Sequence, residues 1–447
     1  MMMGEVEQRH WFRDSAQRGV LRLPVAGNNP LEQLRERAGK ALDVMPAINR
    51  RLEDWRYTRI DSLLDQDFYP DEADIDIPFM ADAGPATPLT DAWRLVFVNG
   101  RYAPQLSNDQ NRPDGVTLVS LAEYLAQEPE QVMRWLGSLA GQGRHLFHAL
   151  NTAVLEDGLF LHVGKGVHLE QPVELLCLGA ARTQATLAPL RNLIVLEAGA
   201  QLTLVERFAS EASARTFHNG LTEIRLEAGA TLNHVCFQDV VRTAWHLDSL
   251  FVSLDTGSQY RGVSLMLGGA WSRMEYQVNF TGEDAACDLD GLYAVGRGQL
   301  SDIHLDIDHS IPSCRSRSNF RGLLHGKGRA VFDGCIRVGE SAQHTDAQLR
   351  NDNLVLAPDA EIDTKPRLEI YADDVKCSHG TTVGQLDPQQ VFYLRSRGID
   401  EAAARILLAT GFAAEITRRL DDPTLCKLAD NLLRDRLAST ADGAGGA

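Results

Sequence analysis

The residues in this chain best suited to chemistry lie in the run Asp373-Asp374-Val375-Lys376-Cys377-Ser378-His379-Gly380. A thiolate and an imidazole are both good ligands for zinc or iron. On a strand, residues two apart share a face, so Cys377 and His379 would project side by side. Two ligands are too few for a cluster, so this reading makes them half of a site that another chain completes. The plainer reading makes Cys377 a buried small hydrophobe and His379 a hydrogen-bonded residue near the end of a β-region. A second set is Asp302-Ile303-His304-Leu305-Asp306-Ile307-Asp308-His309. Alternation puts Asp302, His304, Asp306 and Asp308 on one face and Ile303, Leu305 and Ile307 on the other. The polar face suits metal binding, or it is the solvated or partner-facing side of one strand. Paired carboxylates on a coiled β-fold also suit cleavage of a polysaccharide.

The motifs of commoner chemistries are missing. Gly322-Leu323-Leu324-His325-Gly326-Lys327-Gly328 has the wrong loop length for a Walker A loop and no Ser or Thr after the lysine. Nucleotide binding by that loop is therefore not expected. There is no GxGxxG after a strand, no GxSxG elbow and no HExxH. No CxxC is present either, so a ferredoxin-like cluster motif is absent.

The elements that must position these residues fall into three regions: 1–150, 151–384 and 385–447. Up to about Leu64 the chain reads helical, with Leu31, Leu34, Ala38, Ala41 and Leu42 on one face. Leu64 to Asp91 reads as an irregular connection, rich in Asp, Pro and Ala. Asn99-Gly100 after the run Leu95 to Val98 predicts a hairpin, because both turn positions need positive φ. Helical spacing returns over Leu118 to Leu150, with a break near Glu128-Pro129.

From Asn151 to Gly384 short strand-like runs alternate with turn residues, and a degenerate repeat appears. Leu196-Glu197-Ala198-Gly199-Ala200-Gln201-Leu202 returns as Leu226-Glu227-Ala228-Gly229-Ala230-Thr231-Leu232 and as Leu254-Asp255-Thr256-Gly257-Ser258-Gln259-Tyr260. Leu356-Ala357-Pro358-Asp359-Ala360-Glu361-Ile362 reads as a weaker fourth copy. The pattern predicts a coil that passes one corner per turn: Gly or Asp makes the bend, a small residue follows, and an apolar side chain then points inward. Stacked turns bury a core that no single turn buries alone, so a β-helix is expected rather than a sandwich. After Gly384 helices resume, with start signals at Asp387-Pro388, Asp400 and Asp422-Pro423 and a stop at Gly398. The residues from Ser439 onward read as frayed.

A formal net charge of -17 argues against nucleic acid or anionic lipid as a partner. Residues 1–20 carry Glu5, Glu7, Arg9, Arg13 and Asp14 and no apolar stretch, so no secretory leader is expected. No run of apolar residues is long enough for a transmembrane helix, so no membrane association is expected. The 7 cysteines are scattered and odd in number, which fits a reducing, cytoplasmic compartment.

Several longer strings carry a family resemblance. Asn319 to Phe332, Ala342-Gln343-His344-Thr345-Asp346-Ala347, Thr364 to Gly380 and Gln389 to Ile399 resemble the SufD family of iron–sulfur cluster assembly scaffolds, as does Glu53-Asp54-Trp55-Arg56-Tyr57-Thr58. The resemblance implies a mainly β fold, a right-handed parallel β-helix between N-terminal and C-terminal helical regions. It implies a non-catalytic subunit that pairs with the paralogue SufB through the β-helix and docks a SufC ATPase through the C-terminal helices. Phe392, Arg395, Arg397, Ile399, Ile406 and Phe412 lie in the expected docking region. SufB-type chains carry a cysteine-bearing motif in the N-terminal half, whereas no cysteine here precedes Cys177. The resemblance places Cys377 and His379 where the paralogues meet, at a nascent-cluster site shared with SufB. The isolated chain is expected to hold no cofactor, and the complex a transient Fe–S cluster. Two alternatives stay open: a homodimeric cluster carrier, and a polysaccharide-active β-helix enzyme, which would need an export signal.

Overall fold

The structure, a computed structural model, describes residue 14 and residues 30–73, 89–141 and 143–441, with side chains to 437. From Leu159 onward the alternation of apolar residues and turn residues produces strand after strand, shared between two ten-stranded sheets. One sheet contains β5 (Leu159–Val163), β7 (Ala185–Leu196), β9 (Thr216–Leu226), β11 (Trp245–Leu254), β13 (Trp271–Phe280), β15 (Leu300–His309), β17 (Arg329–Val338) and β19 (Glu361–Ile370). The other contains β6 (Val173–Gly179), β8 (Gln201–Ser210), β10 (Thr231–Gln238), β12 (Gln259–Met266), β14 (Ala286–Val295), β16 (Arg315–Leu324), β18 (Asp346–Val355) and β20 (Lys376–Gly384). Each strand pairs in parallel with the strand two further along the chain, so the polypeptide winds as a parallel β-solenoid. One coil takes roughly 30 residues, within the usual size of a stacking repeat.

Register shows what drives the coil. The repeat noted in the sequence marks the corner from odd to even strands. Gly199, Gly229 and Gly257 bend there with φ of 71°, 69° and 65°. The corner continues past the recognisable repeat: Asp284, Ser313 and His344 take the same place with φ of 58°, 61° and 62°. Non-glycine residues rarely adopt this conformation, though Asp and His are among those that tolerate it better. The next residue is small and buried every time: Ala200, Ala230, Ser258, Ala285, Cys314 and Thr345. Leu356 to Ile362 is no copy of this corner. It joins β18 to β19 on the opposite side of the coil, so its likeness comes from shared turn chemistry and not from register.

The outer faces of the two sheets are covered by the two ends of the chain. The helix Pro30–Val44 buries Leu31, Leu34, Ala38, Ala41 and Leu42, the face expected from its spacing. With the helix Leu146–Ala153 and Trp55 it covers Phe217, Trp245, Leu247 and Trp271 of the odd-numbered sheet. A buried ion pair, Arg191 to Glu223 at 2.6 Å, lies under this layer. The Glu223 carboxylate also accepts the backbone N–H groups of Gly137, Leu139 and Ala140, which pins the preceding loop. The C-terminal helices Pro388–Ser396, Glu401–Thr417 and Pro423–Ala441 begin with their expected caps: Asp387 accepts from the N–H of Gln389, and Asp400 from that of Ala403. Ala413, Ile416, Leu432 and Leu433 then pack on Val235, Phe237, Leu265 and Leu323 of the even-numbered sheet. Each buried leucine contributes roughly 1.5–3 kcal/mol. The tail thus lies along the flank of the solenoid and does not close its last coil.

The early part of the chain departs from expectation in two places. Val116–Ser120 is a strand, β4, paired antiparallel with β5, so helix begins only at Leu121. Phe68–Pro70 is also a strand, β1, laid parallel on β7, where the sequence reads as irregular connection. The Asn99–Gly100 turn does join strands Trp93–Val98 and Arg101–Tyr102, with φ of 50° and 80°. The helical reading of residues 1–29, apart from Asp14, the middle of the 64–91 connection and the end beyond Ala441 lie outside the described residues, while 439–441, expected to be frayed, still belong to the last helix.

Candidate functional site

Parallel register carries each interior column of side chains from coil to coil. One column runs Leu202, Leu232, Tyr260, Cys287, Ser316, Ala347 and ends on Cys377. The next runs Leu204, His234, Gly262, Leu289, Ser318, Leu349 and ends on His379. Ala347 and Leu349 are buried, whereas Cys377 is half-buried and His379 exposed, because no later coil covers them. The two side chains therefore do share one face, and that face is the inner surface of the solenoid where it opens. Partial burial pushes the Cys377 thiol up from its ordinary value, with the N–H of Ala347 working against that and the charge of Asp346 adding to it.

A polar ladder backs the opening. Tyr293 donates to Asn353, Asn351 donates to Tyr293 at 3.0 Å, and Thr364 donates to Asn351 at 3.0 Å. Thr364 meets Thr381 of β20 at 3.1 Å. Strands β19 and β20 each have a neighbour on one side only, so their outer edges offer unpaired N–H and C=O groups. β19 is charged along its length, through Glu361, Asp363, Lys365, Arg367 and Glu369. From Cys377 to Gly384, β20 has no charged residue and no proline. Charges and prolines are the usual means by which an edge strand avoids pairing; here the one charge is Lys376 at the very start of the strand, and the rest has neither.

The C-terminal residues singled out by sequence divide into two groups. Phe392, Arg395 and Arg397 are exposed, and Phe392 stands beside exposed Tyr393. Ile399 is half-buried at the helix junction. Ile406 and Phe412 turn inward against the even-numbered sheet; Phe412 lies 4.6 Å from the Arg321 guanidinium, which also donates to the Phe412 carbonyl. Exposed Leu407 joins the outward group instead. Among the basic residues of the tail, Arg405 donates to the Leu356 carbonyl and Arg419 faces Asp290 at 3.8 Å, so both help to seat the tail.

Residues 179–412 match the family model for the SUF system FeS cluster assembly, SufBD core domain, and residues 22–175 match the SufBD protein N-terminal region. The iron–sulfur cluster assembly protein SufD of Escherichia coli is 34% identical over 84% of this chain and 86% of its own length. An iron–sulfur cluster assembly SufBD family protein of Synechocystis is 32% identical over 89% of this chain and 88% of its own. The chain belongs to the SufBD family.

In this SufBD-family chain the Asp302 end of that face is covered, whereas His304, Asp306 and Asp308 stay half-exposed. Asp302 is buried, bonded to Thr58 and Arg273 and paired with His304 at 2.9 Å. The nearby cations, Arg273 foremost, outweigh burial and hold its carboxyl below the usual range. The N-terminal region and this face enclose a cleft of about 480 Å³ lined by His145, His148, Glu275, His304, Cys335 and Arg367 among others. Glu275 there accepts from His145, Ser249 and Arg273 at 2.9, 2.7 and 2.6 Å. His148 Nδ1 accepts the N–H of Arg144, so its proton sits on Nε2, which faces Glu275. Among the described residues only His145 Nδ1 of this Glu275 network lacks a partner. Burial pushes His148 down to about 4, so it is neutral near pH 7.

The Gly322–Gly328 string forms the end of β16 and a corner into β17, with no helix following, so it has none of the geometry of a phosphate loop. Sequence reading also passed over the interior of the SufBD solenoid. Glu206, His218, His234, His246 and Asp248 point into its core. Burial drives His218 to about 3 and His246 well below its ordinary value, and it raises Asp248, with Glu206 adding to the effect. Among the described residues no helix is long and apolar enough to cross a membrane.

Proposed function

We propose that this chain is a non-catalytic scaffold subunit of a Suf-type iron–sulfur cluster assembly complex. The observation that carries the reading is the open end of the solenoid: an unpaired edge strand, uncharged beyond Lys376, that displays Cys377 and His379 from its inner face. A strand of that kind is completed by a strand from another chain. In this reading the other chain is a SufB-type paralogue, and its end meets β20. Cys377 and His379 then become two ligands of a site finished by the paralogue, with the nascent cluster as cargo. Membership of the SufBD family and the shared likeness to SufD support the choice of partner.

The exposed apolar group Phe392, Tyr393 and Leu407, flanked by Arg395 and Arg397, is the proposed seat for a SufC-type ATPase. Because the tail is held to the sheet by its other face, docking there leaves the solenoid undisturbed. The chain itself is proposed to lack ATPase activity and to work in the cytoplasm. Co-expression with SufB-type and SufC-type chains tests this. The expected result is one complex containing all three, with iron and labile sulfide. A homodimer that carries a cluster without any paralogue would contradict it.

A further inference from the structure

Two neighbouring strands place three potential ligands together inside the solenoid. His218 of β9 lies in register with His246 of β11, and Gly220 lies in register with Asp248. The two imidazoles stack with ring centroids 4.8 Å apart, and ligand atoms of His218, His246 and Asp248 all lie within 4.8 Å of one another. All three residues are buried. Among the described residues none offers a hydrogen bond to His218 Nε2 or to either ring nitrogen of His246, and no side chain offers one to the Asp248 carboxylate, which has only the neighbouring backbone N–H of Ser249.

That is an unusual concentration of unsatisfied polar atoms. Buried polar groups are paired in most proteins because dehydration without a partner is costly. Here three imidazole nitrogens and a carboxylate with no side-chain partner meet at one point. Chance packing does not explain the space between them either. A Cβ on Gly220 would lie 2.6 Å from Asp248 Oδ1 and 2.6 Å from His218 Nε2, so glycine leaves the hollow in which these two atoms converge. A small cavity of about 30 Å³, lined by His218, Phe208 and Trp245 among others, adjoins the group. It is large enough for a single water.

We infer that His218, His246 and Asp248 form an internal site for one divalent transition-metal ion of the Fe2+ or Zn2+ class. Two imidazoles and one carboxylate are a donor set for such ions, with a further position open to water. Mg2+ and Ca2+ are disfavoured, since they prefer oxygen donors. One ion takes one nitrogen of each imidazole together with the carboxylate, and the other nitrogen of His246 keeps its proton. The site is separate from Cys377 and His379, which stand at the open end of the coil.

Co2+ alone serves as the probe, added to the full chain carrying Cys377→Ala and His379→Ala so that the open end contributes no ligands. The expected result is one equivalent of Co2+ with visible ligand-field absorption and two hyperfine-shifted histidine N–H resonances that exchange slowly with D2O. Binding should weaken at least tenfold in Asp248→Asn and persist in His148→Asn. An absence of tight Co2+, histidine signals that exchange as fast as surface groups, or equal binding by Asp248→Asn would overturn the assignment. The exchange measurement needs no core substitution, so it decides the matter even where Asp248→Asn fails to fold.

Discussion

The hydroxyls of Thr364 and Thr381 meet at 3.1 Å across the mouth of the solenoid, joining the last strand of one sheet to the last strand of the other. This contact holds the final coil closed on itself while leaving its edges free. An end that is ordered yet uncovered is what a scaffold needs in order to pair without first refolding.

His379→Ala should lower the iron and labile sulfide of the co-purified complex several-fold and leave the fold intact. His379 is exposed, so its truncation should change stability by no more than about 0.5 kcal/mol. Metal analysis and a denaturant curve check both halves. Normal cluster content would remove His379 from the site.

The two faces of the C-terminal helices should respond differently. Phe392→Asp with Leu407→Asp should abolish capture of the SufC-type ATPase and spare the melting temperature, since both side chains face solvent. Phe412→Ala should instead cost roughly 2–4 kcal/mol, because its ring packs against the sheet and under Arg321. Undiminished capture by the double variant would refute the docking surface.

The corner register makes a prediction about stability. Gly229→Ala should cost about 1 kcal/mol, since alanine resists positive φ even where space is free. Ser313→Gly, at the same corner two coils beyond Gly257, should gain a comparable amount by relieving the same strain. Urea midpoints of the two variants check the pair.

Acid should destabilise the chain in a defined window. Burial pushes His309 down to about 4, below the value of about 6.5 in an unfolded chain. The unfolded state then binds a proton that the folded state refuses. Stability from this group is complete above about pH 6.5 and is lost as pH falls toward 4. By pH 5 the loss is roughly 2 kcal/mol. His309→Gln should flatten the fall in stability between pH 7 and pH 5 relative to the unsubstituted chain. Parallel curves would show that His309 is not held neutral.

Much of this was readable where the pattern is local. The coil showed itself because Gly199, Gly229 and Gly257 mark three corners in a row, and the Cys377–His379 pair because strand alternation needs only two residues' distance. What depends on register was not readable. Asp284, Ser313 and His344 replace glycine at the later corners, so the repeat vanishes from the sequence while the coil goes on. Asp302 reads as a surface residue because its cover, Thr58, lies 244 residues earlier. His218 and Asp248 meet only once corner lengths fix which strand positions face each other.

Amide hydrogen exchange in Lys376–Gly384 tests the central claim most directly, measured on the chain alone and in a complex with a SufB-type paralogue. The account predicts fast exchange along the free edge of β20 in the isolated chain, slowed by about tenfold or more once the paralogue binds. A complex that forms by mass while β20 exchanges at its original rate would contradict it.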